Sequence, residues 1–183
     1  MENNKTKKLA ICAMLTALTA LLSLISIPMP SAVPISLQCF AAALCGYFAG
    51  SVMGSVSLLT YIAIGAVGLP VFTGFKGGFS VLLGPTGGFI IGFIPLCLLC
   101  GGFGLTIKNK SYRAIVKISM GLVGLALCHL CGITQFMFVM QTSFITAFIT
   151  ASLPYIIKDI ACIVAAYLLG ELLRKALKIK FQH

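Results

Sequence analysis

The placement of charge constrains this chain more than any other feature. Its 183 residues hold 13 Lys and Arg but only 3 Asp and Glu. Eleven of the thirteen basic residues fall in three short clusters: Lys5, Lys7 and Lys8; Lys108, Lys110, Arg113 and Lys117; Arg174, Lys175, Lys178 and Lys180. Between the clusters the sequence is almost continuously apolar. Charged residues make up 9% of the chain and hydrophobic ones 60%, against roughly 25% charged in a soluble domain. A water-soluble fold would leave large apolar patches exposed. The implied fold class is all-α: a polytopic membrane protein with six transmembrane helices and structured outer loops, forming a single domain over residues 1–183. The net charge of +10 does not point to nucleic acid, because the cations flank apolar runs as cytoplasmic loop residues do, where they also meet anionic lipid headgroups.

A spanning helix needs about 20 residues. The spans expected are 9–25, 37–48, 52–67, 88–107, 114–131 and 155–173. Pro28, Pro30 and Pro34 break the chain after the first span, and Gly50-Ser51 make a tight turn between the second and third. The stretch 68–87 is rich in glycine and carries two prolines, which marks a structured loop. Residues 132–152 are apolar but contain Gln135, Gln141, Thr142, Ser143, Thr146 and Thr150, the pattern of a bent loop with a short interfacial helix. The N-terminal apolar run lacks a small-residue cleavage site and is followed by further spans, so it is expected to be retained. Six spans put all three basic clusters on one side, the cytoplasmic one, with both termini. A seventh span would place the last cluster outside. The outer connections then hold the Pro-, Gly- and hydroxyl-rich sequence. Small residues recur at four-residue spacing at Ala13 and Ala17, at Gly46, Gly50 and Gly54, and at Gly84, Gly88 and Gly92. Such spacing lets helix backbones approach closely in lipid, for internal packing or for docking a partner. No internal repeat is evident.

Elimination singles out one acid. Glu2 is in the tail, and Glu171 lies beside Arg174 and Lys175 at the inner end of the last span. Asp159 sits about five residues inside that span, roughly 7 Å along the helix. An acid there is functional or paired, and it can accept hydrogen bonds from ligand N–H groups. Its structural partners would be Lys76 or Lys158, although a neighbour in a helix points about 100° away, and Lys158 can instead extend to the outer surface. Lys76, in the glycine-rich loop, is suited to a carboxylate or to solvent. The loop is not a phosphate-binding one, since no G-x-x-x-x-G-K-[ST] occurs. Cys97 with Cys100 and Cys128 with Cys131 form two C-x-x-C pairs, but both lie in apolar helices at a separation unlike a zinc site. The cysteines read as small apolar packing residues, and no metal is expected. His129 reads as a hydrogen-bonded packing residue or a proton relay. No nucleophile–base pair, ATPase motif or chain of carboxylates appears, so the chain is not expected to be an enzyme.

Four stretches then resemble the BioY family, the substrate-binding components of biotin transporters of the energy-coupling-factor (ECF) type. They are Val33-Pro-Ile-Ser-Leu-Gln38, Gly65-Ala-Val-Gly-Leu-Pro-Val-Phe72, Leu83-Gly-Pro-Thr-Gly-Gly-Phe89, and Leu153-Pro-Tyr155 leading to Asp159. The resemblance covers nearly the whole chain. It implies a six-helix bundle with biotin bound near the outer surface, a transmembrane coupling subunit and two ATPase subunits as partners, and no cofactor, ATP being used by the partners only. The family's aspartate at the start of the last helix matches Asp159. The usual lysine three residues later is here Cys162, for which Lys76 or Lys158 can substitute. Many relatives carry an asparagine near the position of Thr73 and Gly74; backbone groups near Gly74, Gly77 and Gly78, with Ser80, are the replacements. Gln38 belongs to the loop that would close the pocket. Ala13 and Ala17 match the family's docking surface for the coupling subunit.

The resemblance thus implies high-affinity biotin capture for uptake across a prokaryotic plasma membrane. Two other readings remain at this level: capture of another small vitamin, and a stand-alone secondary transporter coupled through Asp159. A membrane scaffold without a ligand is a third.

Overall fold

Out of water, a backbone must satisfy its own N–H and C=O groups, and the apolar runs accordingly fold as helices. A computed structural model describes residues 2–29, 33–102 and 109–177. In chain order the elements are α1 (Glu2–Leu24), β1 (Ser26–Ile27), β2 (Ile35–Ser36), α2 (Gln38–Ala66), α3 (Phe79–Leu83), α4 (Gly87–Gly101), α5 (Lys110–Met140), α6 (Phe144–Ala151) and α7 (Leu153–Ala176). The β strands form an antiparallel pair in which Ser26 faces Ser36 and Ile27 faces Ile35. This small hairpin folds the connection after α1 back over one end of the bundle.

The central element is α2, which packs against α1, α4 and α7. It is assigned as one helix but has non-helical backbone at Gly50, with φ 85° and ψ 174°. The two arms fold back on each other there, because the Gln38 amide donates to the Tyr61 hydroxyl at 2.7 Å. In a straight helix those residues would lie about 35 Å apart. Gly50-Ser51 therefore turns the chain as the sequence implies, glycine being the residue that takes a positive φ freely. By length and composition Lys5–Leu24, Gln38–Ala66 and Ser111–Met140 are long and apolar enough to cross a membrane, and Gly87–Gly101 is apolar but shorter. The fold-back divides the second of these into two shorter antiparallel arms.

Two expected boundaries move. The fourth span, expected to reach residue 107, ends at Gly101, where Gly102 adopts the left-handed conformation of a helix cap (φ 75°); residues 103–107 lie outside the described ones. The fifth, expected to end at Cys131, continues to Met140 and stops where Gln141 turns left-handed (φ 52°). Of the polar residues that suggested a loop, Gln135 does not interrupt it, its amide donating to the Leu82 and Gly84 carbonyls of another segment; the neighbouring Thr134 donates back to the Leu130 carbonyl at 2.8 Å. The short helix expected in 132–152 is present as α6, capped by the Ser143 side chain accepting from the Thr146 N–H. Of the punctuating and basic residues noted above, Pro30, Lys108, Lys178 and Lys180 lie outside the described residues.

Glycines and cysteines set the spacing of the central helices. A Cβ at Gly46 would strike the Cys97 carbonyl oxygen and come 2.8 Å from Cys100 Cβ. One at Gly54 would lie 2.6 Å from the Cys45 carbonyl oxygen, and one at Gly92 would lie 2.8 Å from Cys128 Cα. Cys45, Cys97, Cys100 and Cys128 are buried free thiols. The four-residue glycine spacing thus serves internal packing, while large side chains such as Leu9, Val52 and Ile157 face outward.

Because even a methyl group at position 46 must displace backbone, Gly46→Ala is expected to lower the thermal midpoint in detergent by about 5 °C, from an overpacking loss of about 1–3 kcal/mol. Val52→Ala, on the outward face, is expected to leave it nearly unchanged. An unchanged midpoint for Gly46→Ala would contradict the packing described.

Candidate functional site

Segments that lie far apart in sequence converge at one end of the bundle around a cavity of about 310 Å³, within the range of small-molecule sites. Its walls come from the β2–α2 connection, the turn at residues 72–76, the start of α4, the second half of α5 and the start of α7. One side is apolar and aromatic, with Phe72, Phe89, Ile90 and Phe93. The wall also carries Asp159, Lys158 and His129.

Asp159 is 6% exposed and His129 8%. Oδ2 of Asp159 lies 3.3 Å from Nε2 of His129. Oδ1 lies 2.5 Å from Nζ of Lys158, but out of line, so that oxygen receives no aligned hydrogen bond. Lys158 also donates to the Ser36 carbonyl at 3.0 Å. On the far side of the imidazole, Nδ1 is 2.7 Å from the Ser152 hydroxyl. In a neutral ring with its Nε2–H on the carboxylate, Nδ1 accepts from that hydroxyl. The Phe89 ring meets the imidazole edge-on at 5.8 Å. A desolvated carboxylate is tolerable only when paired and hydrogen-bonded, and this chain of contacts supplies that pairing at the cavity wall.

Serine, histidine and aspartate in this order resemble a nucleophilic relay, but the arrangement cannot act as one. Ser152 is 0% exposed and is absent from the cavity wall, so no substrate carbonyl can reach its oxygen. Its role here is to hold the imidazole.

The walls are held by local hydrogen bonds. Phe72 and Lys76 exchange backbone bonds of 2.9 and 3.3 Å across a tight turn, with Gly74 (φ 75°) and Phe75 (φ 57°) in left-handed conformation. This turn presents the exposed Lys76 at the cavity mouth. Phe72 itself is buried against the Tyr61 ring, edge-on at 5.5 Å. Gln135 of α5 donates to the carbonyls of Leu82 at 2.6 Å and Gly84 at 2.8 Å, tying the α3–α4 connection to the bundle. The Tyr155 hydroxyl donates to the Val33 carbonyl, which ties the start of α7 to the strand connection.

Of the residues singled out from the sequence, Asp159, Lys158, Lys76, Thr73 and Gln38 line the cavity. Gln38 also holds the two arms of α2 through Tyr61. Gly74, Gly77, Gly78, Ser80 and Cys162 are not in the wall. Gly77 packs against the Leu69 and Gly68 carbonyls, and the Gly78 N–H donates to the Gly65 carbonyl at 2.7 Å, so both shape the loop from behind. Cys162, one turn beyond Asp159, is buried in the bundle. Ala13 and Ala17 line a separate, almost wholly apolar groove between α1 and the second arm of α2. Sequence reasoning gave His129 no part in binding. Its place at i−30 from Asp159 carries no local signal; only its being one of 2 histidines in an apolar chain marked it. Tyr155, Ser36 and Thr86 also line the cavity and lay within the motif stretches quoted above without being chosen.

Comparison with known proteins places these features in context. The sequence model of the BioY family matches residues 1–179. The probable biotin transporter BioY of Pyrococcus horikoshii is 36% identical over 173 residues, covering 93% of this chain and 98% of that protein. The biotin transporter BioY of Thermotoga maritima is 34% identical over 160 residues, covering 87% and 91%. Among solved structures, the S-component for biotin from an ECF-type ABC transporter superposes with a TM-score of 0.83 at 29% identity, over 96% of this chain and 94% of that one. Matched along almost its whole length in sequence and in fold, the chain belongs to the BioY family.

Proposed function

We propose that this protein captures biotin from the outer side of a prokaryotic plasma membrane and passes it inward with an ATP-driven energy-coupling module, without altering it chemically. The observation that carries the reading is the cavity itself. It combines apolar aromatic lining with one acid and one cation set side by side. Biotin offers the complement: a ureido group with N–H donors flanking a carbonyl, an apolar sulfur-containing ring, and a chain ending in a carboxylate. The Asp159 carboxylate, which lines the cavity, accepts from a ureido N–H. Lys158 donates to the ureido oxygen, its charge already matched by Asp159. The rings Phe72, Phe89 and Phe93 take the apolar body. Lys76 at the mouth meets the carboxylate, in the place of the lysine that the family carries where this chain has Cys162.

In this reading the six crossings are α1, the two arms of α2, α4, α5 and α7, which put both termini on the cytoplasmic side. Two distances support that orientation. Lys117 and His129 stand about 18 Å apart along α5, and Asp159 and Arg174 about 22 Å apart along α7. The cavity thus lies at the end opposite Lys117 and Arg174, facing out under the charge rule. The groove containing Ala13 and Ala17 opens sideways, where a transmembrane coupling subunit can lie against α1. That subunit and two ATPases would supply the energy for release.

Titration calorimetry on the purified chain tests the assignment. Asp159→Asn keeps the shape of the side chain but removes the charge that strengthens the N–H bond, so biotin affinity is expected to fall about 30- to 150-fold while the variant stays folded. Retained affinity in Asp159→Asn would exclude this carboxylate as the ureido acceptor.

Lys76→Gln separates the two ends of the ligand. It is expected to weaken biotin about tenfold and to leave binding of biotin methyl ester, which has no carboxylate, unchanged. Equal losses for acid and ester would place the tail elsewhere.

A further inference from the structure

The end of the bundle opposite the cavity holds a charge imbalance that biotin binding does not use. Arg113 and Lys117, one turn apart on α5, both face Glu171 of α7. The Arg113 guanidinium lies 3.6 Å and the Lys117 ammonium 3.9 Å from its carboxylate oxygens. Both separations exceed those of a direct charge-assisted hydrogen bond. Arg174, one turn beyond Glu171, interacts with the same group and anchors its Nε–H on the Phe48 carbonyl at 2.7 Å. Among the described residues, three cations thus gather around one carboxylate. Lys117 is only 7% exposed, and its ammonium, which has three donors, makes no hydrogen bond among the described residues. The buried Nε of Arg113 likewise has no acceptor there. Burying cations is costly without matching anions, and among the described residues Glu171 is the carboxylate the cluster faces.

The surroundings identify what kind. Leu168 lies one turn from Glu171 toward the bundle centre and is 62% exposed, as is Leu172 beside it; on α5, Tyr112 and Ile115 flank the cations at 59% and 63% exposed. An anion seated here has an outward-facing apolar strip directly next to it. A free phosphate has no use for such a strip, whereas a phospholipid places its phosphate on the cations and its acyl chains along the leucines. The geometry points to a binding site for an anionic phospholipid headgroup at Arg113, Lys117 and Arg174, in which the lipid phosphate adds to Glu171 as counter-charge and fixes the inner ends of α5 and α7 against each other.

The site is tested on the full chain in detergent, without biotin, so that its outcome is independent of the transport assignment. Dioctanoyl phosphatidylglycerol, dioctanoyl phosphatidylcholine and inorganic phosphate are added separately, and lipid affinity is read by native mass spectrometry beside the thermal midpoint. Phosphatidylglycerol is expected to bind more tightly than phosphatidylcholine and to raise the midpoint, while phosphate alone does not. Lys117→Met and Arg113→Gln should each weaken phosphatidylglycerol about fivefold and leave phosphatidylcholine unchanged. Glu171→Gln should strengthen it, because the internal competitor is gone, a gain that a purely structural role for Glu171 does not produce. Equal affinity for the two lipids, or a phosphatidylglycerol preference that survives in both cation variants, would overturn the site. A midpoint shift reproduced by phosphate alone would also overturn it, by assigning the cluster to a soluble anion. Arg113 is partly exposed, so its variant remains informative if Lys117→Met fails to fold.

Discussion

Asp159 is a carboxylate lodged among helices that otherwise offer little but hydrocarbon, and keeping it ionised there dictates much of the surrounding design. His129 reaches it from α5, Lys158 from its own helix, and Ser152 and the Ser36 carbonyl complete the outer ends of the chain of contacts. Each link comes from a different segment, so the acid also clamps α5, the α6–α7 junction and the β2–α2 connection into one unit. A cavity wall made this way is preorganised: the acceptor is already desolvated and oriented before a ligand arrives, which is the condition under which one hydrogen bond contributes strongly to affinity.

That clamp needs helices held at fixed spacing, and the central hairpin of α2 supplies it. Gly50 reverses the chain, Gly46, Gly54 and Gly92 let backbones touch, and the small thiols fill what remains. In lipid there is no hydrophobic drive between helices, so close backbone contact carries the packing. The same hairpin carries Gln38 and Tyr61, whose mutual hydrogen bond closes its open end beneath the cavity. Packing at the centre and recognition at the rim are thus joined through a few residues.

Much of this was legible in the sequence because it is written in strong local signals. Charge clusters fixed the membrane class, Gly50-Ser51 announced the reversal, and scarcity of acids isolated Asp159. Helix ends were less legible. Polar residues in 132–152 suggested a bent loop, yet Gln135 bonds to backbone carbonyls without breaking α5. The hairpin at β1 and β2 was hidden by its prolines and its brevity. The role of His129 was illegible for another reason: a contact between residues on two different helices leaves no periodicity in either. Likewise Gly77 and Gly78 signalled a tight loop, but which side of that loop faces the ligand depends on tertiary packing. The turn presents Lys76 and Thr73 to the cavity and keeps the glycines behind.

The central claim is that Asp159, held by His129 and Lys158, recognises the ureido end of biotin. A structure of the chain with biotin bound tests it most directly. The ureido ring is expected at the Asp159–Lys158 wall, with an N–H within hydrogen-bond distance of the Asp159 carboxylate and the carboxylate tail directed toward Lys76. Biotin seated with its carboxylate at Lys158, or outside the cavity, would contradict it.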